Sequence, residues 1–408
     1  MQLVEQHVIK RGDARTRAID AAAFASKNLW NAANYLVRQS FIREGVYLDN
    51  VQVFHQMKTH EAYQALPRKV SNQVLLQLHK AWKAFFETMD EWREHPEKFL
   101  GRPKLPRYKH KTEGRNLLVY EMGAIWKREL DRGVIAVSGL GELVKTRQTR
   151  ETIDQVRIVP REDHYVVEVV YQCEEKPATV DPNLFAALDL GVNVLAALTS
   201  NKPGFIPCLV NGRPLKARNQ FYNKQREHEQ KKLAKAHRFT SRHLDRVTTK
   251  RNRRVLHYLH TASRRIIDLL VAEGIGTLII GKNLFWKQAV EMGRKHNQEF
   301  VQIPHARFID LLTYKAQRVG IQVIVTEESY TSKASFLDRD ELPVYNPERT
   351  EEPRFNGRRD GRWYRASGNR LIHADVNGSY NIARKVVPTA FDGLGIAAPA
   401  VRPRRLAV

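Results

Sequence analysis

The sequence predicts an α/β multidomain protein, and three observations support this prediction. Short apolar runs typical of strands alternate with helical stretches after residue 184. Two aspartates, Asp189 and Asp375, each end a recognisable segment of that pattern. The chain has 408 residues and a formal net charge of +24, which predicts two or three domains and a polyanionic partner.

The first half of the chain predicts a small β domain that is interrupted by a helical block. Residues 1–12 and 96–180 form the β domain, which includes a hairpin around residues 161–164. Residues 13–95 form the helical block. Apolar side chains at helical spacing lead to Trp82, and we interpret this stripe as core rather than as a base-stacking surface.

A basic segment at residues 100–111 follows the helical block. Its two prolines exclude a continuous helix. Five cations and one aromatic side chain favour an extended loop that faces phosphates through Arg107, Tyr108 and Lys109 when nucleic acid is bound. A solvated basic loop without a ligand explains the segment equally well.

The second half predicts three strands, a helix, a strand, a helix, a strand and a final helix. In order, these segments are 184–190, 194–199, 205–210, about 215–273, 276–280, 305 to about 319, 322–326 and a helix that begins near Asp375. This is the succession of an RNase H-like core, here residues 184–330 and 372–388. Residues 331–371 are an insertion, and the tail at 389–408, which has no regular period, is expected to be loosely ordered.

The long helical stretch is strongly basic on one side in its first part. Because a solvated helix face usually mixes charges of both signs, this pattern favours a nucleic-acid contact. The cations assigned to that contact are Lys216, Arg226, Lys231, Lys232, Arg253 and Arg254.

Two function classes are excluded by composition. The two cysteines, Cys173 and Cys208, support neither a disulfide framework nor a thiolate zinc site. The sequence contains no apolar run long enough for a membrane span and no apolar signal core, so we expect an intracellular, soluble protein without a membrane partner.

Seven short motifs, spread over nearly the whole length, together resemble one family. They are Trp30–Asn34, Pro106–Lys109, Asp189–Val192, His260–Arg264, Phe308–Lys315, Tyr330–Lys333 and Asp375–Ile382. In this order they resemble the TnpB proteins of bacterial insertion sequences, transposon-encoded RNA-guided nucleases related to type V CRISPR effectors.

The resemblance implies a β-barrel-like wedge domain with an inserted helical recognition domain, followed by a RuvC nuclease domain. It also implies a guide RNA, a double-stranded target DNA with a short flanking motif, and a prokaryotic cytoplasm, with the protein at the nucleoid when bound to DNA. The protein of such a system reads the flanking motif and the shape of the heteroduplex. The guide sequence, the motif and the oligomeric state stay open.

The chain departs from the family pattern at two places. The usual catalytic glutamate after the fourth strand is replaced by Gly281. Glu328, at the end of the neighbouring last strand, is our replacement, because adjacent strand ends lie about 4.8 Å apart; Glu327 is the second choice. Glu291 and Glu299 are weaker replacements.

The second departure concerns the insertion, which in the family carries two Cys-x-x-Cys pairs. The matching positions here hold Ser335, Asp338, Tyr364 and Ser367, which cannot form a thiolate zinc site. We therefore expect a zinc-free insertion that packing holds together, with Phe355, Trp363 and Tyr364 as candidates.

The expected chemistry is phosphodiester hydrolysis with two Mg²⁺ or Mn²⁺ ions held by Asp189, Glu328 and Asp375. Lys333 is a candidate for neutralising the reacting phosphate or for contacting the backbone, whereas His305 and His373 are assigned structural roles. Two alternatives remain: a nuclease-inactive, RNA-guided DNA-binding regulator, and an autonomous structure-specific nuclease.

Overall fold

The structure is a computed structural model that describes residues 1–282, 301–346, 353–392 and 400–408. The chain divides into two compact units, Met1–Cys173 and Glu174–Val408. Glu291 and Glu299, two of the weaker candidate acids, lie outside the described residues.

The first unit contains a four-stranded antiparallel sheet. Its strands are β1 (Gln2–Lys10), β2 (Leu118–Glu121), β5 (Ile153–Pro160) and β6 (His164–Gln172), in the spatial order β1-β6-β5-β2. A separate pair joins β3 (Val134–Val137) to β4 (Gly141–Lys145). The first strand of the chain therefore pairs with the last strand of the unit along nine residues.

The helices of the first unit lie mainly between β1 and β2. They are α1 (Thr16–Glu44), α2 (Asn50–Met57), α3 (Glu61–Gln64) and α4 (Arg68–Glu94), and a short α5 (Lys127–Leu130) follows β2. Trp82 of α4 is fully buried, and its indole N–H donates a hydrogen bond of 3.1 Å to the Asn34 side chain. The prediction that the aromatic stripe belongs to the core is confirmed.

The second unit contains a six-stranded mixed sheet. Its strands are β7 (Asp181–Leu190), β8 (Val194–Ser200), β9 (Cys208–Asn211), β10 (Ile275–Gly281), β11 (Gln322–Thr326) and β15 (Arg404–Leu406). The spatial order is β11-β10-β7-β8-β9-β15. Strands β7, β8 and β9 form an antiparallel meander, whereas β10 and β11 run parallel to β7. The predicted succession of strands is confirmed.

Helices cover both faces of this sheet. One face packs against α6 (Arg213–Lys235), α7 (Arg242–Ala272) and α8 (His305–Arg318), and the other packs against α9 (Ala374–Val386). The expected helix at about 215–273 is in fact two helices. The chain breaks where His237 has a left-handed φ of 51° and where Ser241 caps the start of α7.

The prediction of a loosely ordered tail is wrong for its last residues. Arg404–Leu406 pairs in parallel with Cys208–Val210 and becomes the edge strand of the sheet. Three residues are too few to produce a detectable period, but the open edge of β9 offers backbone groups that need hydrogen-bond partners.

The insertion contains a small three-stranded antiparallel sheet. Its strands are β12 (Arg358–Asp360), β13 (Trp363–Arg365) and β14 (Leu371–His373), and β14 leads directly into α9. Tyr364 is fully buried in the core beneath α9, and its hydroxyl donates a 2.7 Å hydrogen bond to the Lys333 carbonyl. Phe355 and Trp363 make looser ring contacts, to Tyr330 at 6.0 Å and to His373 at 6.1 Å.

Across the described ranges, no helix combines the length and the apolar character that a membrane crossing requires.

Candidate active site

Asp189 lies at the end of β7, on the sheet face that α9 covers. Side chains alternate along a strand, so Phe185 and Ala187 lie on the same face of β7 as Asp189. Both belong to the core beneath α9. A Cβ atom at Gly378 of α9 would lie 2.7 Å from Asp189 Oδ2. The glycine therefore lets the helix approach the carboxylate, and a larger residue would displace it.

Glu328 reaches the position that Gly281 leaves open. Gly281 pairs with Thr326 across the parallel strands β10 and β11, and the Lys282 amide donates a 2.8 Å hydrogen bond to the Thr326 carbonyl. A Cβ atom at Gly281 would lie 2.5 Å from Glu328 Oε2. The Glu328 carboxylate thus occupies the space that a side chain at position 281 would enter.

Glu327 points elsewhere. Its carboxylate forms an ion pair with Lys385 of α9 and accepts a 2.8 Å hydrogen bond from the Ser329 amide. Burial alone would raise the pKa of Glu327, but the hydrogen bonds from Lys385 and Ser329 lower it overall. Of the two adjacent glutamates, Glu328 is the one directed at the Gly281 gap.

Asp375 is in the first turn of α9, where the helix dipole favours a negative charge. Its Oδ1 accepts a 3.0 Å hydrogen bond from the Arg359 guanidinium, and its Oδ2 lies 3.9 Å from His373 Nδ1. Arg359 comes from β12, so the insertion delivers a cation to this carboxylate. Burial lowers the pKa of His373, and the Arg359 and Arg362 charges act in the same direction against the opposing effect of Asp375.

Burial and nearby charges raise the pKa values of Asp189 and Glu328. Burial raises the pKa of Asp189 well above its ordinary value, and the negative charges of Glu328 and Asp375 raise it further. Burial, together with the adjacent Glu327, raises the pKa of Glu328 to about 7 despite Lys385. A cation bound near Asp189 would relieve the repulsion that Glu328 and Asp375 exert on it.

The donor chemistry fits a hard divalent cation, because carboxylate oxygens are the ligands that Mg²⁺ and Mn²⁺ prefer. The side chains are not arranged as a ready-made site: among the residues that the structure describes, no group of three or more His, Cys, Asp and Glu side chains is placed to hold a metal ion. Arg359 instead takes one oxygen of Asp375.

The other residues of the Asp375–Ile382 motif attach α9 to its surroundings. The Asn377 side chain bonds to the Phe336 amide and the Ala334 carbonyl, at 2.9 and 2.8 Å. Asn381 donates to the Thr331 and Ala334 carbonyls, and Ser379 donates to the Ala187 carbonyl in β7. The motif therefore holds Asp375 against both the sheet and the start of the insertion.

A hydrogen-bond network occupies the positions at which the family resemblance implies zinc ligands. Asp338 is its centre: it accepts hydrogen bonds from Ser335 Oγ at 2.6 Å, from the Ser367 amide at 3.0 Å and hydroxyl, and from Arg370. Only 6% of the Asp338 side chain is exposed. The network joins the two halves of the insertion without sulfur ligands.

The basic segment of the first unit is held in place by α1. The side chains of Asn31 and Asn34 bond to the backbone of Lys109 and Pro106, and the Trp30 indole donates to the Arg107 carbonyl. Arg107 and Tyr108 are exposed, whereas Lys109 is half-buried with its ammonium 5.0 Å from the Trp30 ring. Two of the sequence motifs thus form one structural element, whose contact with phosphates stays a prediction.

The cations assigned to α6 and α7 fall into two groups. Arg226, Arg253 and Arg254 are exposed. Lys231 and Lys232 are exposed but form ion pairs with glutamates of the same helix, and Lys216 donates to the Asn193 side chain at 3.3 Å. Binding of nucleic acid by these residues stays a prediction.

His305, Lys333 and Arg359 are three further residues near the candidate site or in its sequence motifs. His305 is fully buried and bonds through Nε2 to the Gly191 carbonyl at 3.0 Å, a structural contact two residues from Asp189. Lys333 is exposed, with its ammonium 6.0 Å from the Tyr330 ring. The residue that sequence reasoning missed is Arg359; its only signal is the Arg-rich turn at 358–362, shortly before Asp375.

Two family models match the second unit and the end of the first. The model described as OrfB_IS605, probable transposase, matches residues 167–286, and the model described as Cas12f1-like, TNB domain, matches residues 305–382. No curated protein matches the chain.

Similar solved structures include a Cas12f1–sgRNA–target DNA complex, at 12% identity and a TM-score of 0.49, with 90% of this chain and 82% of that chain covered. A second is the mini-RNA-guided endonuclease CRISPR-Cas_phi3, at 10% identity and a TM-score of 0.45, with 95% and 92% covered.

Proposed function

Since the chain belongs to the TnpB family, we propose that it is an RNA-guided DNA endonuclease whose catalytic acids are Asp189, Glu328 and Asp375. Its proposed partners are a guide RNA and a double-stranded target DNA with a short flanking motif. One observation carries the proposal: the Glu328 carboxylate fills the side-chain space of Gly281 on the sheet face that carries Asp189. This position supports the proposal that Glu328, just after β11, supplies the acid that the family pattern has at position 281 and that this chain lacks there.

The proposed reaction is hydrolysis of a phosphodiester bond. Two Mg²⁺ ions held by Asp189, Glu328 and Asp375 would supply Lewis-acid stabilisation of the attacking and leaving oxygens. Glu328 and Asp189 accept hydrogen bonds from the attacking water and orient it. The exposed Arg359 guanidinium, 3.0 Å from Asp375, neutralises a phosphate that approaches this carboxylate.

Binding of nucleic acid is supported by charge. The net charge of +24 and the exposed cations Arg107, Arg226, Arg253 and Arg254 favour a polyanion. The basic segment at 100–111 is pre-ordered by its hydrogen bonds to α1, so little conformational entropy is lost when it contacts a backbone.

A second candidate function is an RNA-guided DNA-binding regulator that does not cut. It is favoured by the pairing of Arg359 with Asp375 and by the lack, within the described residues, of a preformed three-ligand metal cluster. The endonuclease is preferred because the Glu328 carboxylate lies in the side-chain space of Gly281, on the sheet face of Asp189.

The test uses the protein purified with its RNA. The co-purified RNA is sequenced, and the complex is incubated with a plasmid that carries the matching target and flanking motif, in Mg²⁺. We expect a defined RNA and a linearised plasmid, and we expect Asp189→Ala to cut at least about 10³-fold more slowly while it binds target normally. Asp360→Ala is the matched control and should cut at the wild-type rate. Asp360 lies in the insertion hairpin formed by β12 and β13.

Each other outcome selects an alternative. Binding of the target without cutting, in Mg²⁺ and in Mn²⁺, would establish the regulator. Cutting by protein freed of RNA would establish an autonomous nuclease.

A further inference from the structure

A basic cleft opens beside Asp375 in the second unit. Its volume is about 740 Å³, and its walls come from residues in and next to β8 and β9, from the insertion hairpin β12–β13, and from residues 401–403 and 405. The arginines that line it are Arg213, Arg359, Arg362, Arg402 and Arg405, and Asp375 is the only carboxylate among the described lining residues. A cleft with five guanidinium groups and one acid favours an anionic ligand.

The C-terminal strand β15 presents one of these arginines by strand alternation. Leu406 packs into the core on the α6–α8 side of the sheet, and Arg404 bonds to Cys208, which belongs to the same core. Arg405 lies between them and therefore faces the opposite side, which is the side of Asp375 and α9. Its register partner Leu209 also belongs to the core beneath α9.

The strand is held firmly enough to position a charge. The Arg404 amide donates a 2.9 Å hydrogen bond to the Pro207 carbonyl, and its guanidinium donates to Cys208 Sγ at 2.9 Å. The same guanidinium lies 3.9 Å from Glu273 at the end of α7. Arg402 and Arg405, in contrast, are exposed toward the cleft.

The size and lining of the cleft favour a single strand. About 740 Å³ is the volume of a small-molecule pocket, which is enough for a few nucleotides of one strand. The partly exposed Trp363 ring, 5.1 Å from the Arg362 guanidinium, adds an aromatic surface next to the cations. Guanidinium groups beside an aromatic ring are the combination that binds single-stranded nucleic acid.

We propose that residues 401–405 complete a binding site for a single DNA strand. In this site, Arg402 and Arg405 bind phosphates of the strand segment next to Asp375. The proposal rests on the proposed endonuclease function and names a substrate site for it. Arg213, at the start of α6, also lines the cleft.

The first experiment removes the two charges. Arg402→Gln/Arg405→Gln is compared with Arg402→Lys/Arg405→Lys and with Arg264→Gln/Arg265→Gln, a matched pair of exposed arginines on α7, which packs on the other face of the sheet. Guide-loaded complexes are tested for target binding in EDTA and for cutting in Mg²⁺ at several salt concentrations.

We expect the glutamine pair to cut about 10-fold more slowly with guide binding unchanged. The slope of log cutting rate against log salt should fall by about one for each lost phosphate contact. The lysine pair should keep most of the rate, and the α7 pair should cut like wild type. Wild-type cutting by the glutamine pair would overturn the proposal but leave the endonuclease function intact.

A second experiment does not depend on cutting. A photo-crosslinking amino acid replaces Arg405 in the full chain, loaded with guide RNA and a target labelled on each DNA strand in turn. We expect a cross-link to one DNA strand. A cross-link to the guide RNA, or none to nucleic acid, would overturn the proposal, whereas a DNA cross-link in a complex that never cuts would refute only the endonuclease function.

Discussion

The chain departs from the TnpB pattern at two regions, the Gly281 gap and the insertion, and different kinds of side chain occupy the two places. At the gap, a carboxylate from the adjacent strand enters the space of the missing side chain, because Glu328 Oε2 lies 2.5 Å from where a Cβ at Gly281 would be. In the insertion, three of the four positions that hold cysteine in the family belong to a hydrogen-bond network centred on Asp338. The fourth position is Tyr364.

The roles proposed for the two regions explain the difference. If Glu328 takes the place of a metal-binding acid, it has to keep an anionic oxygen at a buried position. A structural zinc site only joins backbone segments, and charge-assisted hydrogen bonds can join the same segments. The first replacement therefore costs stability, whereas the second supplies it.

The largest expected effect on stability comes from the Asp338 network in the insertion. Asp338→Ala removes the buried acceptor of charge-assisted hydrogen bonds from Ser335, Ser367 and Arg370, so we expect the unfolding free energy to fall by about 3 kcal/mol. Urea unfolding measures the loss, with Asp360→Ala as the exposed control. A loss below about 0.5 kcal/mol would show that the network does not hold the insertion.

The pH dependence of the unfolding free energy tests whether the Glu328 carboxylate is buried at the Gly281 gap. Its pKa of about 7 in the folded protein is raised above the unfolded value near 4.5. The folded state therefore binds the extra proton, and the associated stability is present below about pH 4.5 and lost as the pH rises through 7. At pH 8 in EDTA, we expect the unfolding free energy of Glu328→Gln to exceed that of the wild type by about 2–3 kcal/mol. At pH 4.5 the two unfolding free energies should differ little.

Equal stability of Glu328→Gln and wild type at pH 8 would show that this carboxylate is not buried against other acids. Glu327→Gln is the control, because its carboxylate is already neutralised by Lys385 and should not gain stability at high pH.

The smallest effect comes from filling the gap itself. In Gly281→Ala the new Cβ would meet Glu328 Oε2 and Ile382 Cδ1, both at 2.5 Å, so these side-chain ends must shift. We expect a loss of about 1–2 kcal/mol in thermal unfolding and a displaced Glu328. Gly12→Ala has open space around its Cβ and should change stability by less than about 0.5 kcal/mol. A fully stable Gly281→Ala would place Glu328 away from the gap.

The sequence predicted most of the second unit because its elements have strong periods. The strand succession and the adjacency of β10 and β11 follow from it, and that adjacency led to Glu328. The choice between Glu327 and Glu328 needed the structure, because the chain leaves the strand after Thr326 and alternation no longer decides which residue turns inward.

Other features could not be derived from local pattern. Arg359 reaches Asp375 only because the hairpin β12–β13 folds back beside α9, and β15 has three residues and no period of its own. The break between α6 and α7 depends on the left-handed backbone conformation of His237. A histidine in the sequence does not by itself predict that conformation.

The most direct test of the catalytic role proposed for Glu328 compares Glu328→Gln with Glu327→Gln in guide-directed plasmid cutting. The two variants remove the same charge from neighbouring residues that point in different directions. We predict that Glu328→Gln cuts at least about 10³-fold more slowly in Mg²⁺, while Glu327→Gln stays within about fivefold of wild type. Normal cutting by Glu328→Gln would contradict the assignment.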